Sequence, residues 1–128
     1  MCGIVGIISK EKKTFQYADL EVFREMLICD SIRGEDSTGV FSVNDFGNAR
    51  FLKLATNPFN LVLSKEYKEW SANAFMEGRA IVGHNRKATH GSVENKNAHP
   101  FSFGNIVLVH NGGIDNFRSL LPNKERAK

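Results

Sequence analysis

Three short stretches of the chain carry residue types that can perform acyl transfer. The first is the amino terminus. Cys2 becomes terminal once Met1 is removed, which a small second residue permits, and it then carries a thiol and a free amine on adjacent carbons. Their ordinary pKa values, about 8.5 and about 7.7–8.0, are close enough for proton exchange at neutral pH. One residue can therefore supply both nucleophile and general base. The second stretch is Gly83-His84-Asn85-Arg86-Lys87-Ala88-Thr89-His90-Gly91. Its Arg86 can clamp a carboxylate through two parallel hydrogen bonds, a geometry that lysine lacks. The third is His110-Asn111-Gly112-Gly113, where an Asn amide beside glycine N–H groups can form an oxyanion hole. Taken singly, each has an ordinary structural reading: a buried thiol, a solvated loop with a strand-end His84, and an Asn-Gly turn.

The elements that must position these residues follow from periodicity. Gly3 to Ser9 is rich in β-branched residues and reads as a buried strand. From about Phe15 to Ser31, Leu20, Phe23 and Leu27 recur at helical spacing, with Val22 and Met26 widening the stripe, and Cys29 on the same helix reads as a packed thiol. Thr38 to Val43 and Ala49 to Leu54 read as a hairpin around Asn44-Asp45-Phe46-Gly47-Asn48. Asn57-Pro58 opens a second helix carrying Leu61, Leu63, Tyr67 and Trp70. Arg79 to His84 and Ile106 to Val109 read as strands separated by an aperiodic segment. A last helix begins near Asp115 and stops at Pro122, before a basic tail. Strands interleaved with helices, some joined as hairpins, predict an α+β fold with mostly antiparallel sheet. Most of the 10 phenylalanines are expected in its core.

Composition narrows the function classes. The chain has 128 residues, enough for one core and one domain. With 17 Lys and Arg against 14 Asp and Glu, the net charge is +3, too small and scattered a surplus to predict a nucleic acid partner. No apolar run approaches the roughly 20 residues that cross a bilayer, so no membrane partner is expected. The opening apolar run is short and precedes Lys10, Glu11, Lys12 and Lys13, the reverse of signal-peptide order. With only Cys2 and Cys29, no disulfide scaffold is expected. These features together predict a cytoplasmic protein, in the producing or infected cell.

Read together, the motifs resemble the class II glutamine amidotransferases, whose glutaminase domain is an N-terminal-nucleophile hydrolase. The matching stretches, in order, are Met1-Cys2-Gly3-Ile4-Val5-Gly6-Ile7, Arg33-Gly34-Glu35-Asp36-Ser37-Thr38-Gly39, the Gly83 to Gly91 segment, Asn97-Ala98-His99-Pro100, and His110-Asn111-Gly112-Gly113-Ile114-Asp115-Asn116. The pattern is most similar to the glutaminase domain of glucosamine-6-phosphate synthase and to stand-alone phage-encoded relatives. The resemblance implies an αββα sandwich over residues 1–128 as a single, incomplete glutaminase domain. It implies hydrolysis of the glutamine side-chain amide through a γ-glutamyl thioester on Cys2, with ammonia passed to an acceptor synthase domain or protein. Asn111 and Gly112 would hold the oxyanion and Arg86 the α-carboxylate. Thr89 and His90 would shape the substrate pocket, and Arg33, with Asp36 and Ser37, would fix the surroundings of the nucleophile. No cofactor or metal is implied.

The chain departs from that pattern at two places. Lys87 stands where the synthase has a tryptophan that helps gate ammonia transfer. An acidic motif further on, which supplies an aspartate for the substrate's α-amino group, has no match. That leaves a fragment, a shortened relative using another carboxylate such as Asp115, or a relative without substrate binding. Two competing readings stand beside the enzyme. One is a catalytically inactive relative serving as a structural or partner-binding module, which retention of Met1 would favour because the Cys2 amine would then be an amide. The other is a metal site drawn from Cys2, His84, His90, His99 and His110, although the tight ligand pairs usual for zinc are missing.

Overall fold

The computed structural model describes residues 1–10 and 14–120. Strands β1 (Gly3–Ile8), β2 (Ser37–Asn44), β3 (Ala49–Leu54) and β4 (Gly78–Arg86) form one sheet in the order β1-β4-β2-β3, with every neighbouring pair antiparallel. Helices α1 (Tyr17–Cys29), α2 (Pro58–Leu63) and α3 (Lys65–Glu77) supply its apolar cover. A second sheet is the short antiparallel pair β5 (Phe101–Phe103) and β6 (Ile106–Leu108), followed by the single turn α4 (Phe117–Leu120). This is the α+β class with antiparallel sheets that the sequence implies.

The core lies between the helices and one face of the larger sheet. Phe23 and Leu27 of α1, Leu61 and Val62 of α2, and Tyr67, Trp70 and Ala74 of α3 are buried together with Val40 and Ile81. Burying an aliphatic or aromatic side chain of this size contributes about 1.5–3 kcal/mol, so this cluster is the main anchor of the sheet. Trp70 packs its ring against Tyr67 and Phe23, with centroids 5.5 and 6.1 Å away, and donates Nε1–H to the Arg50 carbonyl at 3.1 Å. Asn85 binds α1 to the same face by donating Nδ2–H to the Leu27 carbonyl at 2.8 Å.

His84 and Gly39 face one another across β4 and β2 on the opposite face. Residues 96–101 lie over them. The His99 carbonyl comes so near Gly39 that a Cβ there would stand 1.8 Å from its oxygen, so this crossing requires glycine. Lys53 pins the same segment by donating Nζ–H to the Pro100 carbonyl at 3.1 Å.

Several sequence expectations are corrected. The second helix is two, because Ser64 adopts an extended backbone (ψ 156°), closes α2 and caps α3 by accepting the Tyr67 N–H. Leu63, expected on the apolar stripe, is exposed at that break. Strand β4 continues two residues beyond His84, and β5 is a strand where no periodicity was visible. Cys29 and Val22 face solvent on the outer side of α1. Phenylalanine is mostly not core: Phe15, Phe23 and Phe41 are buried, whereas Phe46, Phe51, Phe59, Phe75, Phe101 and Phe103 are exposed. The helices cover one sheet face, whereas Phe51 on the other face and Phe101 and Phe103 of the β5–β6 pair are left exposed among the described residues. The expected stop at Pro122 and the basic tail lie outside the described residues.

Candidate active site

Sheet register, not proximity in the chain, assembles the site. Gly3 pairs with Asn85, and Ser37 pairs with Arg86. The start of β1, the end of β4 and the start of β2 therefore meet at one edge, which brings three of the motifs together. Cys2 lies beside Lys87, whose backbone N–H points to the thiol sulfur at 3.4 Å, while Sγ lies 3.7 Å from the Lys87 carbonyl.

Asp36 holds that backbone in place. Its Oδ2 accepts the Ala88 N–H at 2.7 Å, its own N–H donates to the Arg86 carbonyl at 3.0 Å, and Lys87 Nζ lies 3.6 Å from Oδ1. The Cys2 carbonyl is gripped from two sides. Arg33 donates Nε–H at 3.0 Å, and Asn111 donates Nδ2–H at 2.7 Å across 109 residues of sequence. An Asn amide has two N–H groups, so this contact leaves the second one for another acceptor beside the thiol.

A cavity of about 490 Å³ opens in front of Cys2. Cys2, Arg86, Thr89, His90 and Gly112 all line it, and so does Asp115. Arg33 and Asn111 are not lining residues; they approach Cys2 from its carbonyl side. The Arg86 side chain is 8% exposed. It is held from behind by the His90 and Ser92 carbonyls, which accept from its two terminal nitrogens. A guanidinium fixed in that way is a preorganised anion site. Gly112 has φ 151°, which strongly favours glycine, and a Cβ there would also meet the His110 ring at 3.0 Å.

Two residues given little weight in the sequence are central to the geometry. His84 is fully buried and its Nε2 lies 3.0 Å from the His110 carbonyl. His99, from the Asn97-Ala98-His99-Pro100 stretch, stacks on it with ring centroids 4.0 Å apart. Burial lowers the His84 pKa, and burial with the nearby His84, Arg86, His110 and Lys53 lowers that of His99 to about 3. Both rings are neutral at pH 7. The signal for His84 was its alternation with Arg86 along β4, legible only once the strand is known to reach Arg86. Among the described residues no group of three His, Cys, Asp or Glu side chains is placed to hold a metal ion.

Residues 40–126 match the family described as class-II glutamine amidotransferases. The chain belongs to that family. Among curated relatives, it is 37% identical over 123 residues to a glutamine–fructose-6-phosphate aminotransferase (isomerizing) of Sulfurisphaera tokodaii, covering 94% of this chain and 19% of that protein. It is 32% identical over 125 residues to the enzyme of that name from Streptococcus mutans, covering 96% of this chain and 18% of the relative. It is 38% identical over 122 residues to that of Corynebacterium efficiens, covering 94% and 19%. This class-II amidotransferase chain thus spans about a fifth of the length of the curated relatives it matches. No helix among its described residues is long and apolar enough to cross a membrane.

Proposed function

We propose that residues 1–128 act as one glutaminase domain that hydrolyses the side-chain amide of glutamine and hands ammonia to a synthase domain or protein in the cytoplasm. The observation that carries this reading is the convergence of the Cys2 thiol, the Arg86 guanidinium and Gly112 on one cavity. Met1, whose side chain is exposed, is removed first and leaves Cys2 with a free amine.

The glutamine α-carboxylate binds the fixed Arg86 head, with Thr89 and His90 shaping that end of the pocket. Asp115, on the same cavity wall, takes the α-amino group. The Cys2 sulfur attacks the side-chain amide carbon as its proton passes to the Cys2 amine, directly or through one water. The carbonyl oxygen becomes an oxyanion held by the free Asn111 Nδ2–H and the Gly112 N–H. Collapse breaks the C–N bond, and the proton held by the amine leaves with ammonia. Water, deprotonated by the same amine, then cleaves the γ-glutamyl thioester to glutamate and restores the thiol. Arg33 acts on the nucleophile's carbonyl, and Asp36 on the backbone of residues 86–88 beside it, and neither acts on the substrate.

The test is product analysis with the full chain after removal of Met1. Glutamate and ammonia are expected in equal amounts, and hydroxylamine is expected to divert the thioester to γ-glutamyl hydroxamate. A folded, Met1-free protein that forms neither would instead be the non-catalytic binding module.

A further inference from the structure

His84 sits on the site face of β4, buried between the sheet and the His99 ring, and its Nε2 meets the carbonyl of His110 at 3.0 Å. A carbonyl oxygen only accepts, so Nε2 must carry the hydrogen. The neutral ring then leaves Nδ1 as a bare lone pair, and Nδ1 is buried without a hydrogen-bond partner among the described residues. The tautomer is therefore set by this one contact.

The carbonyl that His84 holds belongs to the residue immediately before Asn111. Asn111 in turn places its amide 2.7 Å from the Cys2 carbonyl. Its neighbour Gly112 has the positive φ that turns the chain at the cavity wall. Beyond β6, the His110–Gly113 stretch has neither helix nor strand hydrogen bonds to stiffen it. The described contacts that fix it are few, and the His84 bond anchors it directly to the rigid sheet. We propose that His84 is a positioning residue for the Asn111–Gly112 turn, its Nε2–H fixing the His110 carbonyl so that the turn's donors face the carbon attacked by Cys2. His99 closes over His84, excludes water from the bond and keeps the ring in its plane. Its own seat is the crossing that Gly39 allows.

This inference rests on the glutaminase reading for its kinetic consequences but not for its structural one. In H84F the ring is kept and the donor lost; in H84Q an amide N–H at about the reach of Nε2 is restored. For the full chain, kcat for glutamine hydrolysis in H84F is expected to fall about ten- to a hundredfold, with KM changed by less than about threefold. Affinity for glutamate γ-semialdehyde, whose hemithioacetal with Cys2 puts an oxygen into the same donors, should weaken in proportion to kcat. H84Q should recover most of both. H84F with unchanged kcat and inhibitor affinity, or H84Q as impaired as H84F, overturns the assignment. If wild-type protein turns over no glutamine, the glutaminase reading fails separately. The Asn111 side-chain amide resonances then decide for His84: they should move in H84F and return in H84Q, and unmoved signals overturn it. If H84F does not fold, H84N, whose amide is too short to reach the His110 oxygen, carries the same comparison.

Discussion

Replacing Cys2 with alanine is expected to lower ammonia release from glutamine by about 10⁴-fold or more, since no other group can form the thioester. Alanine is small enough to keep Met1 removal intact, so the amine remains and only the sulfur is lost. The sulfur's contacts are one long backbone approach on each side, to the Lys87 N–H and the Lys87 carbonyl. Their removal should change stability by less than about 1 kcal/mol. Ammonia release and a thermal melt on the same preparation check both halves. Residual turnover within tenfold of wild type would mean that the amide is hydrolysed without a covalent intermediate.

The next largest effect is expected at Asn111. Truncation to alanine removes the amide that faces Cys2, and loss of one oxyanion donor typically costs about 2.7–4 kcal/mol of transition-state stabilisation, or about 10²–10³ in kcat. Because Arg86 and not Asn111 binds the ground-state substrate in this account, KM should move by less than about threefold. Steady-state kinetics separate the two roles. A variant with near-normal kcat and a strongly raised KM would make Asn111 a substrate-binding group. The second contact on the Cys2 carbonyl, from Arg33, keeps the nucleophile's backbone anchored in the variant.

Both effects depend on contacts whose partners are far apart in sequence, and that separation explains what could be read without coordinates. Local signals were strong where one element carries its own pattern. Phe23 and Leu27 at helical spacing gave α1, and the Asn44–Asn48 turn gave the β2–β3 hairpin, where Asn44 Oδ1 accepts the Phe46 and Asn48 N–H groups at 3.0 Å. The signal failed where tertiary context decides. Ser64 sits in an unbroken helical pattern, yet its hydroxyl does better as a cap for Tyr67 than inside a helix. The three-residue β5 is too short to show alternation. Phe101 and Phe103 look like core residues by type, but their strand belongs to a two-stranded sheet with little cover.

The site shows the same division. Cys2, Arg86, Asn111 and Gly112 could be singled out because their chemistry is distinctive and their motifs recur in order. The meeting of Cys2 with Arg86 is a property of register: Gly3 opposite Asn85 and Ser37 opposite Arg86. Nothing in the linear sequence gives that pairing. The His84–His99 stack was illegible for the same reason, since its members come from a strand and from a loop crossing the sheet fifteen residues later. Arg33, expected to fix the nucleophile's surroundings, lies on the Cys2 carbonyl outside the cavity, a placement that required the structure.

The proposed function requires that Cys2, freed of Met1, be a nucleophile facing a glutamine pocket. Intact mass of the purified full chain, before and after incubation with the glutamine-analogue electrophile diazo-oxo-norleucine, tests it most directly. The expected result is a mass lacking Met1 that gains one covalent adduct, with no adduct on the Cys2→Ala protein. A mass that retains Met1 and gains nothing would contradict it.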